Sequence, residues 1–307
     1  MSVVKGLSLK KEIKMSKLYL FFLIFLLLAN IFTWWIIADF RMAKETVAFL
    51  NVGQGDAELI SNAAGNILID AGPNNKILFE LGKILPFYDR TIDLFILSHP
   101  NTDHFNGLFE VLDKYKIRAV ILNNFTYPSS SFQKLLEELK KRHILIIKGI
   151  EGVRISWPVC AGRPACAGGQ KQDRLLVIYP PENLIFSNDL NNSCLVLDLA
   201  LETNHFLFTG DISSTQEKKL FSFLASLKDQ IKVLKVAHHG SNYSSSDLFL
   251  KTLQPKVAII EVGENSYNQP HPDVLKRLQD IGSLIFRTDV NGTIQFLIDK
   301  TGALIVK

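Results

Sequence analysis

Three apolar stretches of strand length run straight into polar loops that carry aspartate or histidine, and this recurrence constrains the chain more than any other feature. Leu94–Leu97 leads into Ser98-His99-Pro-Asn-Thr-Asp103-His104, His205–Phe208 into Thr209-Gly-Asp211, and Val233–Val236 into Ala237-His238-His239-Gly240-Ser241. Along a strand, side chains alternate between faces. In a loop leaving a buried strand they can converge on one point. Four of the seven histidines fall in two of these loops, which scattered core histidines would rarely do. Asp56 and Asp70 stand beside glycines at two further strand ends, as expected of carboxylates that orient histidine rings.

The remaining pattern places strands and helices around these loops. Strands are expected at Thr46–Val52, Ala57–Ser61, Asn66–Asp70, Ala119–Leu122, Leu175–Tyr179, Ser193–Leu199, Val257–Val262, Leu284–Arg287 and Thr293–Ile298. Helices are expected from Asn75 to before Pro86 and over Gly107–Tyr115, Ser130–Arg142, Ser214–Ser226 and Asp273–Ile281. Ser156–Gln170, with Trp-Pro, Arg-Pro and Gly-Gly, has the composition of a loop insertion. Mixed strands and helices in two comparable halves, with no short repeat, predict an α/β (α+β) domain over residues 46–307 in which helices cover two sheets.

Ahead of this domain, Leu18–Ala38 is an apolar run interrupted only by Asn30 and Thr33. At about 1.5 Å per residue it makes a helix of roughly 30 Å, enough to span a bilayer. Five lysines precede it, so residues 1–17 read as a basic cytoplasmic tail, residues 18–38 as a single-pass anchor in the cell membrane, and the body as extracytoplasmic. A cleaved signal peptide is the rival reading; the run is long for one, and no clean small-x-small site ends it. The first 45 residues hold seven Lys and Arg against three acids, which accounts for the whole formal charge of +4. The body is therefore formally neutral, and net charge gives no sign of a basic nucleic-acid groove. Three cysteines make no disulfide framework: Cys160 and Cys166 flank a loop and could pair outside the cytoplasm, while Cys194 reads as core.

Nitrogen and oxygen donors at His99, Asp103 and His104 suit zinc, manganese or iron, and no cysteine is near enough for a thiolate-rich structural site. Alone, that string also suits a turn and cap, because Asn, Thr and Asp are common turn formers. The repetition at Asp211 and at His238-His239 favours a metal.

Seven ordered strings between Val47 and Lys307 then resemble the metallo-β-lactamase superfamily and, within it, the hydrolase domain of ComEC-type competence proteins. They are Asn51-Val-Gly-Gln-Gly-Asp56, Leu68-Ile-Asp-Ala-Gly72, Leu97-Ser-His-Pro-Asn-Thr-Asp-His104, Asn191-Asn-Ser193, Phe208-Thr-Gly-Asp211, Leu234-Lys-Val-Ala-His-His-Gly-Ser241, and Arg287-Thr-Asp289 with Gly292. The resemblance implies a four-layer αββα sandwich with an N-terminal transmembrane helix, and one or two divalent ions, zinc or manganese, at one edge. It makes Asp103 and His104 ligands of the second metal, Asp211 a bridge, and His238 the residue completing that shell. His99 and Asp211 are left for the first metal, weakly helped by Asn101, which stands where the superfamily has histidine and ComEC-type domains commonly have aspartate. No third histidine lies near Asn192 or Ser193, and Gln269 replaces a histidine of the relatives, with His271 close by. A neutral amide is a weaker donor than imidazole, so the first metal is expected to be loosely held, or manganese preferred. Asp103 is also the expected proton acceptor and His239 a supporting or proton-donating group, with an exchange of roles between His238 and His239 left open. Asp56, Asp70, Asn192 and Ser241 are expected to support the ligands. Ser241 lacks a base and orienter of its own, which argues against a nucleophile.

The function this implies is a membrane-anchored, metal-dependent phosphodiesterase or nuclease acting on single-stranded DNA or another phosphodiester through activated water. With one anchor and no polytopic channel, a part in DNA uptake would need a separate pore protein. Hydrolysis of another ester or amide is one alternative; a degenerate, non-catalytic binding module, favoured by Asn101 and Gln269, is another.

Overall fold

The computed structural model describes residues 17–41, 45–62, 65–123, 127–158, 172–184, 190–201, 204–227, 230–298 and 304–307. The chain divides into two compact units, Met1–Ala43 and Lys44–Lys307. In the first, helix α1 (Lys17–Arg41) contains an 18-residue window, Lys17–Trp34, of mean hydropathy 1.9 that is not buried against protein. By length and composition it is a membrane span or a signal sequence.

The second unit opens with strands β1 (Glu45–Phe49), β2 (Glu58–Asn62) and β3 (Gly65–Ile69), helix α2 (Lys76–Ile84) and β4 (Thr91–Ile96). It continues through α3 (Thr102–Lys114), β5 (Lys116–Asn123), α4 (Ser130–Lys141), β6 (Leu145–Gly149), β7 (Arg154–Pro158), β8 (Gln172–Tyr179), β9 (Val196–Leu201) and β10 (Asn204–Phe208). Then come α5 (Ser214–Ser226), β11 (Ile231–Lys235), α6 (Asp247–Leu253), β12 (Val257–Ile260), α7 (Pro272–Asp280), β13 (Leu284–Arg287), α8 (Thr288–Asn291), β14 (Ile294–Ile298) and β15 (Leu304–Val306). Among the described residues, eight strands form one sheet in the order β15-β14-β1-β2-β3-β4-β5-β6, and seven form another in the order β13-β12-β11-β10-β9-β8-β7. Both sheets are mixed: β3 to β6 and β10 to β13 run parallel, and the others pair antiparallel.

Alternation along the strands separates three apolar layers. On β1, Val47 and Phe49 point between the sheets with Phe208 and Phe296, whereas Ala48 joins the layer under α2, α3 and α4. The outer face of the second sheet buries Leu234 and Ile260 against Leu220, Leu250 and Val274 of α5, α6 and α7. The result is two mixed sheets flanked by helices.

Several elements depart from expectation. Helix α3 starts at Thr102, so Asp103 and His104 lie on its first turn with Asn101 at the N-cap. Gly107, read as a boundary, is instead a close-packing residue: a Cβ there would fall 2.1 Å from the Ala71 carbonyl oxygen. Ser156–Pro158, expected in a loop, belongs to β7, and residues 159–171, with Cys160 and Cys166, lie outside the described residues. Strands β6 and β15 and helices α6 and α8 have no counterpart in the sequence reading; the two strands are edges, and α6 and α8 have only seven and four residues.

Candidate metal centre

Strands β1, β3 and β4 of one sheet point the same way, as do β10, β11 and β12 of the other, and the loops that leave them meet. His104 Nε2 lies 3.5 Å from Asp211 Oδ2 and 3.8 Å from Asp103 Oδ2. His239 Nε2 is 3.4 Å from Asp103 Oδ2 and 3.8 Å from Asp211 Oδ2. His99 Nε2 reaches Asp211 Oδ2 at 4.0 Å, and His238 Nε2 does so at 3.8 Å. Donors each about 2.1 Å from one shared ion stand about 3 to 4 Å from one another. The Nε2 atoms of His99, His104 and His239 and Oδ1 of Asp211 are buried with no hydrogen-bond partner. Buried polar atoms are rarely orphaned, and a divalent cation is the group these nitrogens and oxygens fit.

The opposite sides of the rings are tied down. His104 Nδ1 is 2.7 Å from Asp70 Oδ2, which also accepts from the Ser98 hydroxyl at 2.5 Å, while Asp70 Oδ1 accepts from the Ser98 amide at 2.7 Å. His239 Nδ1 donates to the Glu261 carbonyl at 2.8 Å and lies 3.2 Å from Asp56 Oδ1. Such partners select the tautomer that leaves Nε2 for a metal. Asp70, His238 and His239 adopt left-handed φ of 52°, 52° and 53°. These conformations cost about 1–3 kcal/mol each in non-glycine residues and gather at functional sites. Two in succession send neighbouring rings apart: His239 is buried, while His238 stands at the rim with its side chain 30% exposed. The sequence reading put His238 in the ligand shell; the tight group of Asp103 and His104 takes in His239.

Behind the rings is a buried charge network that the sequence reading missed. Lys235, 1% exposed, packs its ammonium against Asp56 Oδ2, donates to the Gly210 carbonyl at 3.1 Å and lies 3.9 Å from Asp211 Oδ1. Glu58 and Glu261 are equally buried, and Glu261 Oε1 accepts from the Ala57 amide at 3.0 Å. The signal was a lysine and two glutamates set within apolar strand runs, at positions that only pairing of the sheets reveals as inward.

These neighbours set the protonation states. Burial would raise Asp56, but Lys235, His239 and His104 together hold it down at about 2. Burial, helped by His104, presses His99 to about 3 and keeps it neutral. Burial would also lower His239, yet Asp56 and Asp211 lift it to about 10. His104 rises well above its ordinary value because Asp211, Asp70, Asp56 and Asp103 outweigh burial. The pocket therefore demands positive charge, from protons or from a metal ion. Glu261 is raised to about 8 by burial and by Asp56.

The other expected residues lie around this centre. Asn101 lines the cleft, its side chain making no cap bond to α3. Asn192 is held at the start of α5, its side-chain oxygen accepting from Gln216 and its carbonyl from the Tyr179 hydroxyl. The buried Ser241 hydroxyl accepts from the Tyr243 amide at 3.4 Å. Gln269 lines the cleft and donates to the His238 carbonyl at 3.2 Å; His271 caps α7 by accepting from the Asp273 amide. Cys194 is buried, its sulfur accepting from the Asp211 amide.

Residues 50–163 match the Metallo-beta-lactamase superfamily. The chain is 28% identical to ComE operon protein 3 of Bacillus subtilis over 83% of its own length and 33% of that protein. It is 29% identical to Recombination protein 2 of Haemophilus influenzae over 83% of its length and 29% of that protein. It is 28% identical to Competence protein ComA of Neisseria gonorrhoeae over 84% and 33%. The chain thus spans about a third of the length of these relatives. Among solved structures, the metallo-beta-lactamase fold protein YhfI from Bacillus subtilis aligns with 86% of this chain and 100% of its own, with a TM-score of 0.52 and 12% identity. CmlA, a diiron beta-hydroxylase from Streptomyces venezuelae, aligns with 83% of this chain and 54% of its own, with a TM-score of 0.53 and 11% identity. Identities that low speak for the fold alone, and a hydroxylase on this fold shows that chemistry must be argued from the site. Fold, ordered strand-end motifs and relatives agree: the metallo-β-lactamase superfamily is matched over residues 50–163, and the chain is homologous to competence proteins over most of its length.

Proposed function

We infer that the protein is a metal-dependent phosphodiesterase acting on nucleic acid, held at the cell membrane by residues 18–38 with its body outside the cytoplasm. The observation that carries this reading is the convergence of three buried, unpartnered Nε2 atoms and Asp211 beside the partly exposed Asp103. Asp103, His104, Asp211 and His239 would hold one ion of zinc or manganese; His99 and Asp211, with Asn101, form the weaker place for a second. A divalent ion there supplies an acidified water at neutral pH and positive charge against oxygens that gain charge during attack.

The chain's own residues do the rest. Asp70 and the Glu261 carbonyl fix the rings of His104 and His239, so that little reorganisation is needed during reaction. Asp103, its side chain 29% exposed, is the more open of the two carboxylates, Asp103 and Asp211, that line the cleft, and Oδ2 takes the proton from the attacking water. His238, at the rim and 3.8 Å from Asp211, gives a proton from Nε2 to the leaving oxygen. The names competence and recombination protein among the relatives support a nucleic-acid substrate, and the length and hydropathy of α1 support the anchor.

The test uses full-length protein in detergent. Metal content is measured by elemental analysis, and hydrolysis of a single-stranded oligonucleotide and of bis(p-nitrophenyl) phosphate is followed with added manganese or zinc. Turnover that disappears in the Asp103→Ala, Asp211→Ala double variant is expected. Equal rates in the two proteins on both substrates, and on an ester panel, would overturn the reading. Retention of metal without any turnover would mark a binding module.

A further inference from the structure

Beside the cleft of about 370 Å³ over the metal centre lies a second pocket of about 280 Å³. Asn242, Tyr243, Asn268 and His271 line it, and Tyr267 and Gln269 line both spaces and join them. Its two phenol rings face solvent, Tyr243 80% exposed and Tyr267 74%. Isolated exposed aromatics are ordinary on a protein surface; two on the wall of one pocket next to a catalytic cleft are not.

The backbone under each ring is pinned. Asn265 closes the loop below Tyr267: its Oδ1 accepts from the Tyr267 amide at 3.0 Å and the Gln269 amide at 3.2 Å, and its Nδ2 donates to the carbonyls of Gly263 at 2.9 Å and Gln269 at 2.8 Å. Below Tyr243, the Ser244 hydroxyl donates to the Ile212 carbonyl at 2.7 Å, and Glu217 accepts from the amides of Ser245 and Ser246 and from the Ser246 hydroxyl. The Tyr243 carbonyl itself accepts from the Ser214 amide at 2.9 Å. Solvent-facing rings on a backbone this constrained form a preorganised surface, which lowers the ordering cost of whatever stacks there.

Among the described residues lining the two spaces there is no lysine or arginine. In the side pocket a polyanion meets no lysine or arginine among the described lining residues, so the grip there must come from elsewhere. The pocket offers ring faces and carboxamides. Arg277 Nη2 donates to Asn242 Oδ1 at 3.2 Å and holds that amide in place, and Gln269 is fixed by the Gln54 amide nitrogen at 3.0 Å. Ring faces with donor and acceptor edges suit an unpaired nucleobase, which stacks through its face and hydrogen-bonds through its rim.

We propose that this pocket is a nucleobase subsite: a single strand lays one phosphodiester over the metal centre and stacks an adjacent base against Tyr267 and Tyr243. The proposal rests on the phosphodiesterase reading for the purpose of the pocket, and its test does not depend on turnover. Full-length protein in detergent and chelator is titrated with a fluorescent oligothymidylate and with an abasic deoxyribose-phosphate chain of the same length. The base-bearing strand is expected to bind roughly 5- to 100-fold more tightly. Tyr267→Ala and Tyr243→Ala should erase that preference while leaving affinity for the abasic chain unchanged, and Tyr→Phe at either position should keep it, because the ring face does the holding. Equal affinity for the two strands, or a preference untouched by both alanine variants, overturns the subsite. Turnover of bis(p-nitrophenyl) phosphate without base preference removes the subsite alone. Base preference without turnover of any phosphodiester removes the catalytic reading and leaves the subsite.

Discussion

The two sides of the metal centre are built to different standards. On one side, the Nε2 atoms of His104 and His239 stand 3.4–3.8 Å from the Oδ2 atoms of Asp103 and Asp211, and the two rings are braced by Asp70 and the Glu261 carbonyl, with Lys235 and Asp56 beneath. On the other, His99 faces Asp211 at 4.0 Å, its Nδ1 lies 3.1 Å from the Ser98 hydroxyl, and Asn101 offers the cleft a neutral amide. The rings report the difference: Asp56 and Asp211 raise His239 against its burial, while at His99 burial and His104 outweigh Asp211, Asp103 and Asp56. Affinity for a cation follows the density of buried carboxylates around each ring more than the number of rings, because each carboxylate both ligates or braces and supplies the charge to be neutralised.

That asymmetry can be broken most severely at Asp211, which both sides share. Asp211→Ala should release the metal, as read by elemental analysis, and cut phosphodiester turnover on the order of 10³-fold or more, beyond the 10–100-fold usual for outer partners. Lys235→Met, which leaves Asp56 buried without its cation, is expected to cost about 3–5 kcal/mol in urea unfolding. A variant as stable as the native chain would show that the network beneath the dense side is incidental. Asp70→Asn should loosen the ring of His104 and weaken metal affinity roughly 10- to 100-fold in chelator competition.

Acidity should act on the same side. His239 carries its proton up to about pH 10 in the ion-free protein, and a metal must displace it. Affinity should therefore rise with pH, about tenfold per unit for each proton released, and flatten as pH passes the His239 value. Affinity that stays flat between pH 6 and 8 would contradict protonated imidazoles at the dense side. The smallest effect is reserved for the sparse side: His99→Ala should change the affinity of the tightly held ion less than about tenfold, below the range for a bracing partner. A loss equal to that of Asp211→Ala would erase the distinction between the two sides.

Much of this was visible in the linear chain, and the rest was hidden for physical reasons. Apolar strands ending in His and Asp announced the loops that meet, since strand ends are where side chains escape alternation. The start of α3 was obscured because Gly107, a poor helix former, is required by the approach of the Ala71 carbonyl. Lys235, Glu58 and Glu261 look like solvent-facing charges until sheet pairing turns them inward. The different burial of His238 and His239, one at the rim and one inside, goes with two consecutive left-handed residues, which composition alone does not encode.

The layer between the two sheets is filled by apolar side chains such as Phe49, Phe208 and Phe296, which hold without directional bonds. Asp103 and His104 follow the first sheet, whereas Asp211 and His239 follow the second. A cation bound there would fasten the two sheets at their shared edge, alongside the Lys235–Asp56 pair that already crosses the seam, and would stabilise the folded sandwich by its binding.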